Sequence, residues 1–128
     1  MANTGLEGPY ELTTEEIDRV VTRKSPGTYA LGKSEDDELL TSVKYIGRSD
    51  DDINDRLHDW VGEYPHFKFG YFDSPKAAFE KECKLWHAFG GPEGKLDNKK
   101  HPQRLVGSNW QCPVCDIFKE EGGGINAS

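Results

Sequence analysis

Two tyrosines, two arginines and a glutamate stand in short segments from which a phosphodiester site could be assembled. They are Tyr29 in "GTYAL", Tyr45 and Arg48 in "KYIGR", Arg56 in "INDRLHDW" and Glu82 in "AAFEKECKLW". Hydrolysis of a phosphodiester needs a group that orients or deprotonates water, a cation for the non-bridging oxygens, and usually a metal ion on a carboxylate. These side chains supply all three. A second set could hold a metal by itself: Cys112 and Cys115 form a "CPVC" knuckle, and Cys83 and His87 are four residues apart in a helical pattern. A tetrahedron of Cys83, His87, Cys112 and Cys115 suits structural zinc, with His101 as a substitute ligand. Three cysteines cannot all pair within one chain, and a CxxC is more often metal or redox chemistry than a structural disulfide.

Each residue also has a plain structural role open to it. The tyrosines could be cross-strand aromatics. Arg48 could neutralise Asp50–Asp52, and Arg56 could pair with Asp52 or Asp59 at helical spacing. Glu82 could be one more solvated helix acid, and Cys83 plain core.

The elements that would carry these groups can be read from spacing. "LTTEEIDRVVTRK" has Thr13 three residues ahead of Glu16, a capping-box pattern, and Ile17, Val20 and Val21 on one face; a helix is expected at about 14–23. "TYALGK" and "TSVKYIGRS" read as strands joined by an exposed "SEDDELL" hairpin connection. "SDDDINDRLHDWVGEY" offers Ser49 or an aspartate as N-cap and Ile53, Leu57, Trp60 and Val61 at helical spacing. "HFKFGYF" reads as a third strand. In "DSPKAAFEKECKLWHAFGG", Ser74 caps a helix, Pro75 takes its first position and Gly90–Gly91 stop it. Residues 1–10 read as loose, 99–118 as an irregular extension and 119–128 as a disordered tail. The expected fold is one α+β domain spanning 1–128: a small three-stranded antiparallel sheet flanked by helices, with a β-β-α-β-α core, an extra N-terminal helix and a zinc-clipped C-terminal segment.

Taken together, "GTYAL", "KYIGR", the arginine of the following helix and a helical glutamate resemble the GIY-YIG nuclease superfamily over about residues 25–98. Tyr45-Ile46-Gly47 matches the second motif in full, whereas Gly27-Thr28-Tyr29 stands where the first has Gly-Ile-Tyr. Ala78 lies one helical turn before Glu82, as the family's final-helix segment has it, which favours Glu82 over Glu80. The resemblance implies a metal-dependent endonuclease acting on DNA. Tyr29, Tyr45 and Arg56 would surround the scissile phosphate, and Glu82 would hold Mg²⁺ or Mn²⁺. An asparagine would complete the site: Asn98, with Asn109 as the alternative. Many members carry a histidine one turn after the arginine, and here that position is Trp60. The alternative expectation is therefore a catalytically weak or inactive module of the same fold that binds protein or nucleic acid.

Charge sets limits on partners. The 128 residues carry a net charge of −7, and residues 1–40 hold nine acids against four bases. Residues 95–104, "KLDNKKHPQR", hold four bases against one acid, so a locally basic surface survives in an acidic chain. Candidate phosphate contacts are Lys44, Arg48, Lys84, Lys99, Lys100 and Arg104. No second domain or basic arm is visible, so sequence preference would come from the domain or from a protein partner. No apolar run approaches the roughly 18–20 residues needed to cross a bilayer, and the start of the chain has no signal-peptide pattern. A soluble, intracellular, cytoplasmic protein without membrane contact is expected.

Overall fold

The computed structural model describes residues 4–34 and 42–118. The expected hairpin connection and the expected tail lie outside these residues, apart from Ser34 at the start of the former. The described chain runs β1 (Glu7–Glu11), α1 (Thr14–Val20), β2 (Gly27–Lys33), β3 (Ser42–Ser49), α2 (Ile53–His58), β4 (His66–Tyr71) and α3 (Pro75–Ala88), followed by a 3₁₀ turn at Gly91–Glu93. Among these, no helix is long and apolar enough to cross a membrane.

The sheet is antiparallel throughout and has four strands, in the order β1-β4-β2-β3, rather than the expected three. The added strand is β1, in the segment expected to be loose. Gly8, Pro9 and glutamates at both ends hide it from a periodicity argument. Proline is tolerated because β1 is an edge strand with one side unpaired. Its Tyr10 ring anchors it, lying 5.6 Å from Phe67 and 6.1 Å from Phe69.

β2 is central and its first six residues are all buried, as a strand covered on both faces requires. Strand alternation splits its side chains. Tyr29 and Leu31, with Phe67 and Phe69 of β4, face α1 and α2 and pack on Ile17, Val21, Ile53 and Leu57. Ala30 of β2 and Ile46 of β3 face the other way, toward Leu85 and Trp86 of α3. The sheet is thus sandwiched between two helical layers.

The helices start where their caps dictate. The Thr13 hydroxyl accepts from the Glu16 N–H, and Ser74 accepts from the Ala77 N–H at 3.1 Å. At α2 the cap is Asp52, which accepts from the Asp55 N–H, while Ser49 tightens the preceding turn by accepting from the Asp52 N–H at 3.0 Å. α1 ends three residues before the expected limit because the Tyr71 hydroxyl accepts from the Thr22 and Arg23 N–H groups at 2.8 and 3.3 Å. Gly90, at φ 100°, takes the left-handed conformation that closes α3. Beyond it, the segment to residue 118 is irregular, as expected.

Candidate active site and metal cluster

The β2–β3 pairing sets Tyr29 opposite Gly47, Thr28 opposite Arg48 and Leu31 opposite Tyr45. The Tyr29 ring crosses β3 over Gly47 so closely that a Cβ there would lie 2.5 Å from its Cζ and Oη atoms. Only glycine leaves room for the ring. Tyr45 stacks beside it, with centroids 6.4 Å apart and planes 13° from parallel. The indole N–H of Trp60, the residue noted above as a departure from the resembled pattern, donates to the Tyr29 hydroxyl at 2.8 Å. Burial pushes the Tyr29 phenol well above its ordinary range, and the neighbouring Tyr45 adds to this. Tyr29 therefore stays protonated, and with its oxygen accepting from Trp60 its own proton is available for donation. Burial also raises Tyr45, with Glu82 as a second cause.

Alternation sends Arg48 to the α3 side of β3. Its Nη1 lies 2.7 Å from Glu82 Oε1 and its Nε lies 2.7 Å from Asp50 Oδ1. The Phe79 and Trp110 rings flank the guanidinium at 5.1 and 5.8 Å. Glu82 is nearly enclosed, and burial raises its carboxyl to about 7 against the pull of Arg48. Arg56 is held loosely by comparison: its side chain is 51% exposed and its contact with Asp59 is 3.8 Å long.

Tyr29, Tyr45, Arg48, Arg56 and Glu82 all line one cleft of about 540 Å³ that wraps the β3 edge. Asp50, Asp51 and Gln103 complete its rim. A hollow of similar volume, about 530 Å³, is lined by Glu11 and Glu63 without a lysine or arginine, so it does not suit a phosphate.

Other candidates lie elsewhere. Asn98 does not line the cleft; it runs along β3 as a strand would, donating to the Ile46 carbonyl at 2.7 Å and accepting from the Ile46 N–H at 3.4 Å. Asn109 is exposed outside the cleft. The residue that does reach the cleft from the C-terminal segment is Gln103, which periodicity could not flag because the segment has none. Among the candidate phosphate contacts, Arg48 is committed to its two carboxylates. Arg104 donates to the Trp110 carbonyl at 3.0 Å and stacks on Phe118 at 4.6 Å. Lys99 donates to the Gly94 carbonyl at 2.8 Å, while Lys84 and Lys100 are exposed and Lys44 is half-buried. None of these other five lines the cleft.

On the far side of α3, His87, His101, Cys112 and Cys115 bring their ligand atoms within 4.8 Å of one another, a cluster that could hold a metal ion. Two details fit that use. His87 Nε2 is buried without a hydrogen-bond partner. His101 has Nδ1 on the Pro102 carbonyl at 2.8 Å, which fixes the proton there and turns the Nε2 lone pair toward Cys115 Sγ, 3.3 Å away. The Val114 N–H donates to Cys112 Sγ at 3.4 Å, as in a metal knuckle.

Cys83 is not among these ligands, and the fourth place expected for it belongs to His101. Cys83 is fully buried among Phe79, Cys112 and Phe118, and desolvation drives its thiol far above the ordinary range. Comparison with known proteins found no matching family model, curated protein or solved structure.

Proposed function

We propose that the cleft around β3 hydrolyses phosphodiester bonds in DNA, as the resemblance to GIY-YIG nucleases implies. The observation that carries this reading is the convergence of Tyr29, Tyr45, Arg56 and Glu82, from four separate elements, on one cleft. Arg56, exposed and loosely paired, neutralises the non-bridging oxygens of the phosphate. The Tyr29 hydroxyl donates a hydrogen bond to a phosphate oxygen, its own oxygen being engaged by Trp60. Tyr45, half-buried beside it, orients the attacking water. The water oxygen bonds to phosphorus as the bond to the leaving oxygen breaks; the water's proton passes to solvent and the leaving oxygen is protonated from solvent. Glu82, with Asp50 and Asp51 on the same rim, offers the hard carboxylate oxygens that Mg²⁺ or Mn²⁺ prefers. Such an ion would supply Lewis-acid charge beside the phosphate.

The test is cleavage of supercoiled, branched and single-stranded DNA in Mg²⁺ or Mn²⁺. Arg56→Ala and Glu82→Ala are each expected to lower the rate by about 10²-fold or more. Cleavage that survives both substitutions would locate the activity elsewhere.

A second reading is favoured by two observations: Arg48 already occupies Glu82, and Trp60, a donor only, cannot relay a proton. On that reading the fold binds nucleic acid or protein without cutting. Retention of DNA with no cleavage on any of the three substrates would select it.

For the cluster behind α3, the donor set of two thiols and two imidazoles points to structural zinc in tetrahedral coordination. Ligand atoms in such a site lie about 3.3–3.8 Å apart, so only slight closure of the cluster is required. Metal analysis of the purified protein is expected to give one zinc per chain, lost in Cys112→Ser.

A further inference from the structure

The cleft and the cluster are joined by three residues. His101 is in the cluster, Gln103 is on the cleft rim, and Pro102 separates them. Gln103 is exposed, and its side-chain amide makes no hydrogen bond to any described residue. Nothing it touches therefore explains its orientation. Its neighbours do. Pro102 is buried and restricts its own φ, Arg104 is tied to the Trp110 carbonyl, and the His101 ring stands edge-on to Trp86 and His87 at 5.2 and 5.1 Å. The same segment brings Trp110 to the Arg48 guanidinium. The outer wall of the cleft is thus built by a stretch with no regular secondary structure, fixed at the cluster.

We propose that a metal ion on His87, His101, Cys112 and Cys115 positions Gln103 as a contact to the phosphate or sugar of the bound DNA strand. The inference rests on the reading of the cleft as a nucleic-acid site and extends it: the ion takes no part in the chemistry and acts through the wall it holds. Gln103 is the contacting residue; His101 is a positioning residue. An unpaired amide, with two donors and one acceptor, suits a phosphodiester strand.

The experiment measures binding of a fluorescein-labelled branched DNA by anisotropy, with Ca²⁺ replacing Mg²⁺, alongside zinc content. Gln103→Ala is expected to keep one zinc per chain and to weaken binding about threefold. The isosteric Gln103→Glu is expected to weaken it about tenfold, because its carboxylate repels the phosphate. Cys112→Ser, and His101→Ala as a second variant, should lose zinc and weaken binding. Adding Gln103→Ala to either should then change affinity by less than about 1.5-fold, since the wall is already misplaced. Independent, multiplicative losses in the double variants overturn the positioning role, and unchanged affinity in Gln103→Glu overturns the contact. If the wild type neither binds nor cuts DNA, the reading of the cleft fails and the contact fails with it. The positioning is read separately from trypsin cleavage after Lys99, Lys100 and Arg104. That cleavage should be slow with zinc and fast in Cys112→Ser, and protection independent of zinc overturns the positioning.

Discussion

The sheet with its helices and the segment from Leu96 to Phe118 are held by different means. The sheet is fixed by backbone pairing and two apolar layers, in which Tyr29, Leu31, Phe67 and Phe69 meet α1 and α2 while Ala30 and Ile46 meet α3. The C-terminal segment has no regular structure after Glu93; it rests on a few buried groups, Leu96, Pro102, Cys112 and Phe118, and on the His/Cys cluster. Ordering a chain without such a ladder costs about 1–2 kcal/mol per residue, so a segment of this length needs a concentrated source of stability. Where a ladder exists, order is spread over many weak contacts. Where none exists, it gathers at a few points.

The largest effect should come from removing the metal proposed for the His/Cys cluster. Structural zinc contributes about 10–16 kcal/mol of apparent binding free energy, so chelation should release the segment while leaving the sheet folded. Hydrogen exchange should show protection lost over 98–118 and kept in β2; simultaneous loss in both would show that the two regions are one cooperative unit. Next is Arg48→Met, which strands the buried Glu82 carboxylate and should cost about 3 kcal/mol of stability in denaturant unfolding. Because Arg48 belongs to the sheet, this variant should retain the zinc proposed for the cluster. Ser74→Ala removes one cap from α3 and should cost only about 1 kcal/mol, measured the same way. As α3 carries both Glu82 and His87, it should perturb the two regions equally.

Legibility in the sequence followed the same division. The capped helices and strands β2 to β4 could be anticipated, because alternation, helical spacing and caps are local rules that the sheet obeys; the grouping of Tyr29, Tyr45, Arg56 and Glu82 came only from the resemblance. β1 escaped because an edge strand can be built from Gly8, Pro9 and glutamates, needing only one partner and one anchoring ring. The Arg48–Glu82 pair was open to the same alternation argument, since Arg48 must face away from Tyr45 and Gly47. In the C-terminal segment such rules are silent. Asn98 follows the final helix as the resemblance requires, yet its amide is spent on β3, and Gln103 reaches the cleft instead. Cys83 shares a helix face with His87, but one turn is enough to pass from the cluster into apolar core.

The position of Asn98 has a consequence of its own. β3 is an outer strand, and an outer strand exposes unpaired peptide groups to any passing chain. Here the Asn98 amide occupies both peptide groups of Ile46, and the Asp97 N–H meets the Lys44 carbonyl at 2.5 Å, so the molecule spends its own following segment as a surrogate fifth strand. At Lys44 and Ile46 the border that carries the cleft is therefore covered by the chain itself. Asn98→Ala would reopen it, and with it a route to aggregation that begins at the cleft itself.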